Sequence, residues 1–294
     1  MFIGQIAALA AAFFWALATL LYSKSSHQLS PVQLNLVKGL VASPLLFLGI
    51  WLLPGTGWAG WSQATWALMA ISGIIGITLG DSCYFAALRR LGPAHTILLE
   101  YLAPPLAAIL AWLVLSEQLS LWQILASSVV ILGVLLVISE RQLGSKMRLD
   151  RTGLAFAVAE AVCQATGLVM AFQGFALSQV SPVEAALVRL LGGTLVLTVG
   201  ILLIRPKLMP ATYRILRKGN IWQLLFAIVI GTFLAIWLQQ IAVAYVTPGI
   251  AQTLLSTAPL FMLGLNVIRG RRVSLRALIG TLTAMLGISL LFLL

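Results

Sequence analysis

Apolar runs of roughly 20 residues recur along nearly the whole chain, and this pattern leaves few ways to fold. A soluble domain of 294 residues with 61% hydrophobic and 9% charged residues cannot cover that much apolar surface. The pattern predicts an all-α polytopic membrane protein. Breaks at Pro, Gly and charged clusters predict ten transmembrane helices, over 3–22, 31–53, 64–88, 93–115, 121–139, 152–177, 182–204, 220–245, 248–268 and 274–294. Only 140–151 and 205–219 are long enough to read as linkers. The first 22 residues lack the charged leading region of a signal peptide and read as a retained helix.

Loop charge predicts a topology. Lys24 falls in loop 1–2, Arg89 and Arg90 in loop 3–4, and Arg141, Lys146, Arg148 and Arg151 in loop 5–6. Arg205, Lys207, Arg214, Arg217 and Lys218 follow in loop 7–8, and Arg269, Arg271, Arg272 and Arg276 around loop 9–10. The even loops and both termini carry no Lys or Arg. By the positive-inside rule the odd loops are cytoplasmic and both termini face outward, across a bacterial cytoplasmic (inner) membrane. Trp58, Trp61 and Trp66 in loop 2–3 then suit the outer interface. The net charge of +11 resides in these loops rather than on a nucleic-acid-binding stripe.

The chain also repeats itself. "SPVQLNLVK" at 30–38 echoes "SPVEAALVR" at 181–189, so Lys38 matches Arg189. Gly76, Pro93 and Ala103-Pro104 match Gly231, Pro248 and Ala258-Pro259; Ser120 and Gly133 match Ser274 and Gly287. The expected units are 1–140, a cytoplasmic linker at 141–151, and 152–294. Five helices per copy is an odd number, so the copies must cross the membrane in opposite senses. Inverted repeats of this kind build a transporter site between their halves.

Ionised groups inside hydrocarbon are expensive and normally face each other or a wet cavity. Lys38, Asp81 and Glu100 fall at similar depth, so a network of these three is expected, with one carboxyl in surplus as a candidate proton or cation carrier. Asp81 is favoured because "LGDSCYF" leaves space around it. Arg189 is the inverted mate of Lys38, while the positions matching Asp81 and Glu100 are Ile236 and Leu255. Glu184 suits a helix start, and Glu160 is a further intramembrane acid without an evident partner. The four charges can bind substrate, couple its movement to protons, or only brace helices; the residues leave these open. Trp15, Tyr22, Tyr84, Tyr101, Trp237, Gln239, Gln240 and Gln252 are candidate pathway-lining residues. Pro104, Pro105 and Pro259 are expected to interrupt their helices. Gly76 with Gly80, and Gly280 with Ala284, have helix-packing spacing, which leaves the oligomeric state open.

The stretches "CYFAALRRLGPAHTILLEYLAPPLAAILAWLVLSEQLS" at 83–120 and "AVAYVTPGIAQTLLSTAPLFMLGL" at 242–265 resemble the drug/metabolite transporter superfamily, in its EamA-like branch. The resemblance implies two five-helix repeats and export or exchange of amino acids, other metabolites, nucleotide-linked sugars or drugs. Glu117 in "LSEQLS" keeps the family's acidic residue after helix 4, whereas Arg271 stands at the matching place after helix 9. The resemblance also implies cytoplasmic termini; the loop charges point the other way, and the orientation follows the charges. An enzyme would need a nucleophile with its base or a metal cluster, but only His27 and His95 are present, without ligand-spaced neighbours. The expected protein is a secondary transporter of a small metabolite working by alternating access, with proton coupling as an option. It has no expected cofactor or metal, and its expected partners are substrate, membrane lipid and protons. A lipid-linked sugar flippase or a non-transporting scaffold is the alternative.

Overall fold

The computed structural model describes residues 2–52, 58–115, 120–138, 150–218, 221–246, 254–271 and 273–293. The described chain is helical, with no strand among these residues. In order, the first half contains α1 (Phe2–Ser25), α2 (Pro31–Leu52), α3 (Gln63–Gly73), a π-helical segment (Ile74–Gly80), α4 (Asp81–Leu91), α5 (Pro93–Leu99), a 3-10 turn (Glu100–Leu102), α6 (Ala103–Leu115) and α7 (Leu121–Ile138). The second contains α8 (Arg151–Leu177), α9 (Pro182–Ile204), α10 (Leu208–Lys218), α11 (Ile221–Ile228), a second π-helical segment (Val229–Leu234), α12 (Ala235–Tyr245), α13 (Ala258–Ile268) and α14 (Leu275–Leu293).

Among the described residues, six continuous stretches are long and apolar enough to cross a bilayer: Phe2–Ser25, Pro31–Trp51, Gln63–Leu91, Arg151–Leu177, Pro182–Ile204 and Ile221–Tyr245. Leu121–Val137, Ala258–Ile268 and Leu275–Leu290 are shorter apolar helices. Large apolar side chains such as Trp51, Leu203, Ile204 and Trp222 project outward along these helices, as expected of a surface solvated by lipid. The 205–219 stretch is a correction to the expected linker. It contains α10, whose Leu208, Met209 and Thr212 turn inward while Tyr213, Arg214 and Arg217 stay exposed. Apolar residues three to four apart make a one-sided helix, and its inner face packs on Leu36, Leu197 and Ile201.

The two halves pack in matching ways. The first helix of each lies on the third helix of the other: α1 on α12, and α8 on α4. The second helices, α2 and α9, pack together, with Gly39 tight against Thr194. The last helices, α7 and α14, form a close pair in which Gly133 abuts Gly280 and Ala284, while Gly287 abuts Ala126 and Val130. Gly280 and Ala284 therefore serve contact within the chain. Small residues let these backbones approach, which is the main source of helix affinity where lipid is as apolar as the side chains.

Loop contacts sort the ends of the helices. Arg90 bonds Asp150 at 2.8 Å, joining loop 3–4 to loop 5–6, and Gln33 bonds Thr212 at 2.9 Å, joining the start of α2 to α10. Thr65 and Ser178 bond at 2.8 Å, joining the starts and ends of helices at even loops. Asp150 also caps α8 by accepting from the Thr152 N–H at 3.0 Å, and the Arg90 bond holds its carboxyl below the usual carboxylate range. Trp58, Trp61 and Trp66 cluster with ring centroids 4.7 to 5.5 Å apart. Glu117 lies outside the described residues.

Candidate functional site

The two π-helical segments occupy corresponding places in the two halves, just before Asp81 and Ala235. In each, an N–H reaches back five residues: Asp81 to Gly76, and Ala235 to Ile230. The extra residue per turn re-aims the side chains that follow and is a frequent device at functional sites. The Nδ2 of Asn35 supports the first segment by donating to the Ile77 carbonyl at 2.7 Å and to Ser82 at 3.0 Å. The Thr78 hydroxyl ties the same segment to α9 by donating to the Gly193 carbonyl at 2.6 Å.

A second pair of irregularities lies where helices were expected to be interrupted. Pro104 and Pro105 sit in the first turn of α6, and Pro259 in the first turn of α13. The breaks lie on their N-terminal sides, at Glu100–Leu102 and at Ser256-Thr257. That offset has a simple cause: a proline ring clashes with the carbonyl four residues earlier and gives it no hydrogen. For Pro104 and Pro105 those carbonyls belong to Glu100 and Tyr101.

The breaks and the first π-helical segment border a central cavity of about 140 Å³ lined from both halves. A single water needs only ~10–15 Å³ on this measure, so the space suits a small solute. Lys38, Asp81, Glu100 and Arg189 all line it, brought together from α2, the start of α4, the 3-10 turn and α9. Trp15, Tyr101, Gln239 and Pro259 line it too, as do Ile236 and Leu255, the mates of the two acids. Of the expected three-way network, the Lys38–Asp81 pair is present and Glu100 is held elsewhere. Lys38 pairs with Asp81 in a contact buried to about 1% and 7% side-chain exposure. Its ammonium also lies 5.5 Å from the centre of the Phe85 ring. Glu100 instead accepts from the indole N–H of Trp15, at 2.9 and 3.0 Å to its two oxygens. The Glu100 side chain is thus drawn toward α1 rather than α2.

Tyr22 and Tyr84 stand behind the cavity rather than in its wall. Tyr84 packs at a tilt against Trp15, ring centroids 5.1 Å apart, and shares a hydrogen bond with Thr19; Tyr22 bonds Thr232 at 2.8 Å and packs on Phe85. Trp237 packs beside Phe233, and Gln240 is buried with neither amide atom hydrogen-bonded among the described residues; neither residue lines the cavity. Pro104 and Pro105 also lie off it, and Gln252 is outside the described residues.

Glu160 and Gln164 on α8, Gly76 in the π-helical segment and Ser256 at the second break, none of them in the candidate set, line the wall together with small and apolar residues. Glu160 is 2% exposed and is hydrogen-bonded to Gln164, but among the described residues its Oε1 has no partner; the Nε and Nη1 of Arg189, which is 6% exposed, and the Tyr101 hydroxyl have none either. A signal for the α8 pair existed in the spacing, since Glu160 and Gln164 are one helical turn apart in otherwise apolar text.

A solved structure described only as "Crystal structure of protein" superposes with a TM-score of 0.66, at 19% identity, over 99% of this chain and 96% of that one. At that identity it supports the fold alone. No protein of curated function matches the chain. The sequence profile of the EamA-like transporter family matches twice, over residues 2–139 and 151–293. Two matches covering nearly the whole chain, on a helical bundle with long apolar spans, identify an integral membrane protein of transporter type: the chain belongs to the EamA-like transporter family.

Proposed function

We propose that this protein is a secondary transporter that moves a small metabolite, an amino acid or similar solute, across the bacterial cytoplasmic membrane by alternating access. In this reading, ten membrane-crossing segments form two inverted five-helix repeats, 1–140 and 152–294, joined by a cytoplasmic 141–151 linker. The observation that carries it is the central cavity, bordered from both halves and lined by buried charges at its wall. Matched π-helical segments and matched proline-led breaks give the halves elements able to rearrange around that cavity. Export or exchange coupled to protons is the finer form: Asp81 and Glu100 are carboxyls held by one donor group each, and each can exchange that donor for a proton.

The test is counterflow in proteoliposomes, using metabolites that accumulate in a deletion strain, with a pH dye inside the vesicles. Wild-type protein should exchange at least one such metabolite and move protons with it. Asp81→Asn should reduce proton movement at least tenfold, and Glu100→Gln should have a smaller effect. Unaltered coupling in both variants ends the proton proposal, and absence of counterflow for every accumulated metabolite ends the transport reading.

The positive loops support an orientation in which both termini lie outside the cytoplasm. Packing of odd loops with one another, through Arg90–Asp150 and Gln33–Thr212, supports a common side for them. A C-terminal alkaline phosphatase fusion should therefore be active in bacteria. An inactive fusion, beside a fluorescent cytoplasmic reporter fused at the same end, reverses the orientation.

A further inference from the structure

The connection between α9 and α11 differs from its counterpart in the first half. There, "LPGTGWAGWS" at 53–62 holds no charged residue. Here, "RPKLMPATYRILRK" at 205–218 is rich in Lys and Arg and contains α10, a helix of 11 residues and so about 16 Å long. One side of α10 is taken up by the protein itself. Leu208 and Met209 pack on Leu36 of α2 and on Leu197 and Ile201 of α9. The Gln33 amide donates to the Thr212 hydroxyl at 2.9 Å, and both residues are 5% exposed. Thus α10 clasps the start of α2 to the last turns of α9.

The other side of this connection is open and basic: Arg205, Lys207, Arg214 and Arg217 are all exposed. Nothing in the chain answers their charge. None of the four has an ion pair among the described residues, and no Asp or Glu follows Glu184 in the sequence. The helix dipole favours Arg214 and Arg217 near the end of α10 but opposes Arg205 and Lys207 ahead of its start. The positive-inside rule asks for cations in the loop, not for a packed helix that presents them.

Setting and charge together choose the occupant. The connection joins two apolar spans, Pro182–Ile204 and Ile221–Tyr245, and so lies where both leave the hydrocarbon. Beside it, Ile204 is 79%, Tyr213 69% and Trp222 78% exposed. Tyr and Trp, with an apolar body and a polar tip, favour the headgroup level. The apolar face that a membrane-inserting helix would sink into lipid is already used, so charge is what α10 has left to offer a bilayer. Exposed cations at that level attract anionic lipid, residue by residue. We propose that Arg205, Lys207, Arg214 and Arg217 form a seat for anionic phospholipid headgroups, through which the bilayer surface steadies the α2–α9 clasp. The seat does not depend on what the cavity carries. Its placement at the inner leaflet rests on the proposed orientation.

The experiment titrates purified full-length protein in neutral detergent with phosphatidylglycerol or phosphatidylcholine and counts bound lipids by native mass spectrometry. Wild-type protein is expected to bind phosphatidylglycerol at least tenfold more tightly, with that preference shrinking as salt is raised. Phosphatidylglycerol should also raise its unfolding midpoint. The fourfold variant Arg205→Gln, Lys207→Gln, Arg214→Gln, Arg217→Gln should lose the preference and this rise, and should keep the wild-type midpoint in phosphatidylcholine. A control of equal net charge removes four exposed cations elsewhere, by Arg89→Gln, Arg151→Gln, Arg269→Gln and Arg271→Gln, and should weaken binding less than threefold. The seat is overturned if the fourfold variant binds as wild type does, or if the control loses as much. A lowered midpoint of the fourfold variant in phosphatidylcholine also overturns it, since the cations then serve the fold. Displacement of the lipid by equimolar glycerol 3-phosphate makes the ligand a free phosphate ester, and stronger binding of polyglutamate makes the partner an acidic protein; either result removes the lipid seat. Reporter fusions of reversed orientation move the seat to the other leaflet and leave these affinities unchanged.

Discussion

Lys38→Met should lower the stability of the folded protein by roughly 3–5 kcal/mol, and adding Asp81→Leu to the same chain should restore most of it. The reason is burial. Lys38 is 1% exposed and its ammonium is paired with Asp81, so removing the cation strands a carboxylate in a low-dielectric interior. Removing both charges with residues of similar bulk abolishes that penalty, and such replacements are often neutral or stabilising. Thermal unfolding of detergent-solubilised protein, followed by size-exclusion chromatography, measures both steps. Transport should be lost in the single and the double variant alike. A stable double variant that still transports makes the pair a brace between α2 and α4. A double variant as unstable as the single one shows that the pairing energy is not what Lys38 contributes.

Gly133→Val is expected to be the most damaging change far from the cavity, by about 3 kcal/mol or more. A side chain at Gly133 would run into the backbone of α14 at Gly280 and Ala284. Backbone cannot swing aside as a flexible side chain does, so α7 and α14 must separate, and the contact of neighbouring small residues is lost with it. Gly287→Val should behave similarly, because Gly287 meets the backbone at Ala126 and Val130. Gly200→Ala is the matched control. Nothing lies within 4 Å of its added methyl, and replacing a helical glycine should leave stability unchanged or raise it by about 0.5–1 kcal/mol. Yields of monodisperse protein and unfolding midpoints decide the matter; equal behaviour of Gly133→Val and Gly200→Ala would overturn the packing argument.

The positions of the irregular turns show how far local chemistry reaches. Proline at 104, 105 and 259 marked the neighbourhood of two helix breaks, and steric exclusion of the carbonyl four residues back places each break just before its proline. The π-helical segments carry no such mark. "IIGITLG" and "VIGTFL" share a glycine, but nothing in either string requires a wider turn; Asn35 from α2 and Gly193 from α9 supply the bonds that support the first.

The same division runs through the cavity. Scarcity of charge in apolar text was enough to single out Lys38, Asp81, Glu100 and Arg189, because burying such groups is expensive wherever they point. It could not say which would meet. Lys38 and Asp81 are 43 positions apart and Trp15 and Glu100 are 85 apart, so their pairing depends on how four helices are rotated about their axes. A soluble helix advertises that rotation through one apolar stripe. Helices apolar on every face carry little of this signal, since lipid accepts the outer face as readily as the core accepts the inner one. The sequence alone therefore determined the membrane class, the charge asymmetry of the loops, the internal echo and the short roster of buried charges. Only tertiary packing decided that Asp81 takes Lys38, that Trp15 takes Glu100, and that Arg189 and Glu160 join the same cavity wall.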